Sequence, residues 1–192
     1  MTSTVDVGDV ALRVARALET AGVRYALGGS VATSLQGEPR STNDIDFAVQ
    51  LEAGKVPALV AALGPEFSVD EQALLEAITR RRSANVYFLP LVTKVDLFIR
   101  GHEPFDLSEL DRCQRVVIQP GQPPIAIASA EDNLLRKLKW FRQGNEVSDL
   151  QWRDIIGLLR ISGGQMDGQY LDRWAKELGV ADLLARARAA PP

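Results

Sequence analysis

Among the 192 residues there is one cysteine, Cys113, and one histidine, His102. A single thiol closes no intrachain disulfide, and one thiol with one imidazole falls short of a zinc site. Long apolar runs are missing as well. No stretch approaches the roughly 20 residues that a membrane-spanning helix needs, so no membrane partner is expected. The first residues, MTSTVDVGDVALRVARALE, lack the basic stretch and apolar run of a signal peptide. There is no excess of positive charge either: 22 Lys and Arg stand against 25 Asp and Glu, a formal net charge of −3. No global field therefore recruits nucleic acid, and a polyanionic substrate must be held by local basic residues or by metal ions. Together these absences point to a reducing, cytoplasmic setting. What is present is ordinary for a globular chain, 46% hydrophobic and 24% charged. That is enough for one substantial core, or a core with a helical appendage.

Periodicity divides the chain in two. Residues 9–21 carry Val10, Leu12, Val14, Leu18 and Ala21 near helical spacing, with Gly22 as the stop. Arg24 to Leu27 reads as a strand running into Gly28-Gly29-Ser30, where Ser30 is placed to cap a helix through Leu35. Asp44 to Val49 alternates as a strand, 55–63 and 70–82 read as helices, and 66–69 as a short strand. Ser83–Leu89 and Leu91–Ile99 form two β-rich runs reversing at Pro90, which predicts an antiparallel pair. A short helix over 106–112 and two short strands, 115–119 and 124–128, complete this half. After residue 129 only helices are expected, over 130–143, 148–161, 168–178 and 180–189. The expected fold class is α/β (α+β): a small mixed sheet with flanking helices over 1–128, then a C-terminal helical bundle over 129–192.

Three features in this frame carry chemistry. A Gly28-Gly29-Ser30 turn between strand and helix lets the backbone approach closely and aims N–H groups outward, which suits a phosphate; a tight turn with a capping serine is the plainer alternative. Asp44 and Asp46 are one residue apart in a strand and share a face. Two close carboxylates need a counter-charge, and magnesium, which takes carboxylate and phosphate oxygens together, is a natural one. The plainer alternative is a solvated strand end. Asp96 lies in Thr93-Lys94-Val95-Asp96-Leu97-Phe98-Ile99, on a face with Lys94 and Phe98. An acid in such apolar company needs a partner if buried. With the Asp pair it forms a three-carboxylate site for one or two cations, in which Asp96 sits where an attacking hydroxyl loses its proton.

Leu27-Gly28-Gly29-Ser30 followed by Arg40-Ser41-Thr42-Asn43-Asp44-Ile45-Asp46-Phe47, with Asp96 downstream, resembles the signature of the DNA polymerase beta-like nucleotidyltransferase superfamily. Gly28, Gly29, Ala32, Gly37, Arg40, Thr42, Asp44, Ile45 and Asp46 fall in the register of its bacterial and archaeal branch related to abortive-infection and toxin–antitoxin enzymes. The resemblance covers roughly residues 25–160. It implies a catalytic domain, a helical domain that closes the cleft, and transfer of a nucleoside monophosphate from a nucleoside triphosphate to an acceptor hydroxyl. It further implies Asp44, Asp46 and Asp96 as metal and catalytic residues, with two magnesium ions or manganese in their place. Gly28, Gly29, Ser30, Arg40 and Lys137 would be the nucleotide contacts, Lys137 being followed in the helical half by Asp149 or Asp154. An RNA acceptor such as a tRNA 3′ end, a protein acceptor, and a cognate antitoxin are the partners such a branch suggests. A nucleotide-binding module without turnover is the alternative from a different class.

The remaining residues have plainer readings. Residues 134–142 form a basic amphipathic helix whose buried stripe is Leu134, Leu138 and Phe141, with Arg136 and Lys139 elsewhere. Arg80-Arg81-Arg82 reads as a solvated helix end, or as an RNA contact. Trp140, Trp152 and Trp174 fall at core spacings, and His102 and Cys113 are taken as incidental.

Overall fold

The computed structural model describes residues 5–36 and 44–190. The first helix, Val7–Thr20 (α1), starts two residues before its apolar periodicity because Asp6 caps it. The Asp6 side chain accepts from the Asp9 N–H, and the Asp9 side chain accepts from the Asp6 N–H, each at 2.9 Å. This reciprocal pairing satisfies two donors that a helix start otherwise leaves open. There follow Arg24–Gly28 (β1), Gly29–Gln36 (α2), Asp44–Gln50 (β2), Val56–Leu63 (α3), Phe67–Val69 (β3) and Glu71–Arg80 (α4). Ser83–Phe88 (β4), Thr93–Ile99 (β5), Pro104–Asp111 (α5), Gln114–Val116 (β6) and Ile125–Ile127 (β7) complete the mixed half.

The strands form one seven-stranded sheet in the order β3-β4-β5-β2-β1-β7-β6. β2–β5 and β1–β7 pair in parallel, and the other neighbours are antiparallel. The reversal expected at Pro90 is a 3-10 turn, Leu89–Leu91, closed by Val92 in the left-handed region at φ 50°. A β-branched residue there costs about 1–2 kcal/mol. Along β5 burial alternates strictly: Thr93, Val95, Leu97 and Ile99 are buried, while Lys94, Asp96 and Phe98 are partly exposed. Ile45, Phe47 and Val49 of β2 are likewise buried, and α1 and α3 pack on each other. On the other face Ala48 is covered by Leu110 of α5 together with Ala26 and Ala128. Arg100 fixes that end, its Nε 2.7 Å from the buried Glu109 carboxylate of α5.

Two compact units result: Met1–Val31 with Ser41–Ala128, and Ala32–Arg40 with Ser129–Pro192. The second contains Ala130–Gln143 (α6), Asp149–Ser162 (α7), Gly168–Glu177 (α8) and Ala181–Arg188 (α9). Helix α6 departs from the single buried stripe expected of it. Glu131, Asp132, Asn133, Arg136 and Lys137 are buried along with its leucines. The cause is that α6 packs against both α7 and α8, and its polar side chains are partnered rather than solvated. Asp132 accepts from the Ser129 hydroxyl at 2.6 Å and the Tyr170 hydroxyl at 2.5 Å. Asn133 donates to Thr33 Oγ1 at 3.2 Å, which ties the end of α2 to this unit. Among the described residues no helix is long and apolar enough to cross a membrane.

Candidate active site

The chain leaves β1 at Gly28, whose register partner on β2 is Asp46. Gly29 then opens α2 with φ +60°, and a Cβ on it would lie 1.7 Å from Asp46 Oδ2. Only glycine meets both demands, left-handed backbone and contact with a carboxylate. The turn therefore passes against Asp46. Because α2 starts at Gly29, Ser30 lies inside the first helical turn and not ahead of it as the expected cap. Its backbone belongs to the helix start, where N–H groups lack intrahelical acceptors and the dipole is positive.

Strand β2 carries Asp44 and Asp46 on one face, as their spacing requires. The parallel register with β5 then decides their company: Asp44 lies opposite Lys94, and Asp46 opposite Asp96. Across four strands one row reads Gly28, Asp46, Asp96, Asn85. Neighbouring strands lie roughly 4.8 Å apart, so same-face side chains in a row are neighbours. Asp44 is open to solvent, with 63% of its side chain exposed, whereas Asp96 retains 13%. The structure thus brings Gly28, Gly29, Asp44, Asp46 and Asp96 together in the first unit.

Lys94 joins them. Its Nζ is 2.8 Å from Asp96 Oδ2 and 3.9 Å from Asp44 Oδ1. The hydrogen bond with Asp96 raises the Lys94 pKa above the ordinary lysine value, against partial burial, and the charges of Asp96, Asp44 and Asp46 add to it. Asp96, in apolar company, needs a partner, and Lys94 on the same face is that partner. The signal was in the sequence, since Lys94 and Asp96 are two residues apart in a strand. Asn85 and Tyr87 of β4 share this face too, both exposed, with Tyr87 opposite Lys94. Their place beside the acids depends on the hairpin register, which local pattern does not specify.

Among the described residues no three acidic, histidine or cysteine side chains are grouped so as to hold a metal ion by themselves, which includes the three carboxylates expected from the sequence to do so. Magnesium does not require such a group: it is usually held by one or two protein carboxylates, substrate phosphates and water. The donor set at hand, oxygen ligands on adjacent strands beside a glycine turn, fits that ion. Arg40 falls within 37–43, outside the described residues. Lys137 lies in the second unit, its Nζ 2.8 Å from Asp154 Oδ2, with 5% and 7% of the two side chains exposed. Of the two acids expected to follow Lys137, Asp154 is therefore its partner, while Asp149 is an exposed first-turn residue of α7.

The chain is similar to solved structures at low sequence identity. The aminoglycoside nucleotidyltransferase ANT(2'')-Ia, an antibiotic-resistance factor, matches with a TM-score of 0.56 and 17% identity over 96% of this chain and 94% of that one. An antigenic nucleotidyltransferase-like protein from Paracoccidioides brasiliensis matches with a TM-score of 0.47 and 21% identity, over 94% and 91% of the two chains. No protein-family model and no curated protein matches the sequence. What the first likeness establishes is the fold: a mixed α/β sheet with flanking helices and helices at the C-terminus, of the kind ANT(2'')-Ia has.

Proposed function

We propose that this chain is a metal-dependent nucleotidyltransferase that moves a nucleoside monophosphate from a nucleoside triphosphate to an acceptor hydroxyl. The observation that carries it is the row Gly28, Asp46, Asp96, with Asp44 on the same face and Gly29 pressed against the Asp46 carboxylate. A tight glycine turn next to paired acids is what a triphosphate with its cation needs. Asp44 and Asp46 would hold magnesium, or manganese in its place, with Asp96 contributing to a second ion. Bound there, the ions supply Lewis-acid stabilisation of charge on the phosphoryl group and the leaving pyrophosphate.

The chain's own residues do the rest. Backbone N–H groups at Gly29 and Ser30 bind the β- and γ-phosphates, and Gly28 lets them approach. Asp96 accepts the proton of the acceptor hydroxyl, whose oxygen bonds to the α-phosphorus as the bond to pyrophosphate breaks. Arg40 and Lys137 complete the proposed phosphate contacts on the strength of the sequence resemblance. A cytoplasmic location, where triphosphates and magnesium are abundant, suits the chemistry. The acceptor we favour is RNA, at a tRNA 3′ end, with the chain as the toxin of a toxin–antitoxin pair; sequence resemblance supports that finer reading. Fold likeness to ANT(2'')-Ia makes an aminoglycoside the acceptor to test beside it.

The deciding experiment incubates the protein with each labelled nucleoside triphosphate, magnesium, and in turn total RNA, protein extract and aminoglycosides. Label transferred to one acceptor, with pyrophosphate released, is the expected result. D44N and D46N should lower the rate by at least about 10³-fold, the scale on which electrostatic stabilisation of a transition state acts. One observation favours a second reading, a nucleotide-binding module without turnover: Asp96 is engaged by Lys94 at 2.8 Å. Tight nucleotide binding in calorimetry with no pyrophosphate release would select it.

A further inference from the structure

Three acids share the open face of the sheet, and the counter-charge among them is supplied by the chain itself. Lys94 emerges from β5 between Asp44, its partner across the parallel pairing, and Asp96, two residues along its own strand. Its ammonium is within ion-pair distance of both carboxylates. Only 13% of the Asp96 side chain is exposed, so a bare carboxylate there, beside Asp46, would be costly without a nearby cation. The position is unlike that of a lysine on a solvated face. A surface pair leaves both partners free to exchange for water, whereas Lys94 faces three acids fixed by strand register.

We infer that Lys94 is a resident counter-ion that stands in for the divalent cation when the site is free, and withdraws from Asp96 when metal and triphosphate bind. This rests on the metal-dependent reading above and adds regulation to the same site. Lys94 is a positioning residue: it holds the carboxylates in place while the site waits, and it occupies the Asp96 oxygen that would otherwise accept a proton. Metal binding and the Lys94–Asp96 pair are then competitors. Removing the charge should tighten metal binding and loosen the metal-free protein.

The test compares wild type, K94Q and K94R as full chains, freed of metal with a chelator. Manganese alone is titrated into each by electron paramagnetic resonance, and thermal unfolding is followed with and without it. K94Q should bind manganese on the order of tenfold more tightly than wild type, the scale of a charge about 4 Å away when water screens it nearly as in bulk, as it does for the partly exposed Lys94 and Asp44 side chains. It should also unfold at lower temperature in chelator and gain more than wild type from added manganese. K94R, which keeps the charge, should resemble wild type in affinity. A readout on the unaltered protein stands beside these: acylation of the Lys94 amine, followed by mass spectrometry, should accelerate several-fold when manganese is added. Equal manganese affinity in wild type and K94Q, with no change in Lys94 acylation, would overturn the counter-ion role while leaving metal binding intact. Failure of every form to bind manganese would overturn the metal-dependent reading and this inference with it.

Discussion

Gly29 shows how far one residue constrains the site. Its φ of +60° costs any L side chain about 1–2 kcal/mol, and a Cβ there would collide with the Asp46 side chain at 1.7 Å. Gly29→Ala should therefore lower stability by more than that amount, because the Asp46 Cβ, 2.7 Å from the added methyl, moves only with its strand. The loss of nucleotide affinity should be larger, because the carboxylate must swing away from the turn; calorimetry with nucleotide and manganese would separate the two effects. Unchanged affinity in a folded variant would place the triphosphate elsewhere. Lys137 is the residue whose environment departs most from expectation. The sequence resemblance makes it a nucleotide contact, and in the fold it is buried against Asp154. K137M strands a buried carboxylate, which costs about 3–5 kcal/mol, whereas replacing both partners by apolar residues recovers much of that loss. Urea unfolding of K137M and of K137M/D154L measures the difference, and equal losses would mean the pair contributes little as a pair.

At the scale of elements, charge and burial combine where α1 meets β1 and β6. Glu19 near the end of α1 accepts from the Tyr25 hydroxyl at 2.8 Å and from Arg115 at 2.6 Å. Partial burial pushes its pKa up, but hydrogen bonds from Arg115 and Tyr25 and the Arg115 charge outweigh it, leaving the carboxyl below its ordinary 4.5. A depressed carboxylate pKa stabilises the fold above the unfolded value and loses that contribution as pH falls through the folded one. The stability difference between wild type and E19Q should thus be flat at neutral pH and shrink below about pH 4.5. Thermal unfolding at a series of pH values would show it. The same elements show what local pattern conveys. Helix α1 and strands β2 and β5 follow from apolar period alone, and the β4–β5 hairpin from its central proline. The start of α2 does not, because Ser30 has the chemistry of a cap and only the positive φ of Gly29 reveals that the helix has already begun.

For the whole molecule the strongest expectation concerns ligand. A nucleotide that binds the native chain at a hundredfold excess over its Kd adds about 2.7 kcal/mol. For a chain of this length that corresponds to roughly a 5–10 °C rise in Tm where unfolding is cooperative. The rise should need a divalent cation and vanish in D46N; a nucleotide-dependent rise of the same size in chelator would argue against metal-assisted binding.

The sequence by itself determined the fold class, the order of the elements, and the placing of Asp44 and Asp46 on one face, since these follow from periods of two and 3.6 residues that any short window contains. It also marked Asp96 as an acid in need of a partner. Lys94, two residues away on the same face, is that partner, and tertiary structure decided which other residues join the pair. That Asp96 stands beside Asp46, that Lys94 sits between Asp96 and Asp44, that Gly29 touches Asp46, and that Lys137 is buried against Asp154 all depend on pairings between distant segments. The physical reason is that register between strands is a long-range choice: one residue's slip would turn every side chain of β5 to the other face, leaving the local pattern unchanged and the site dispersed.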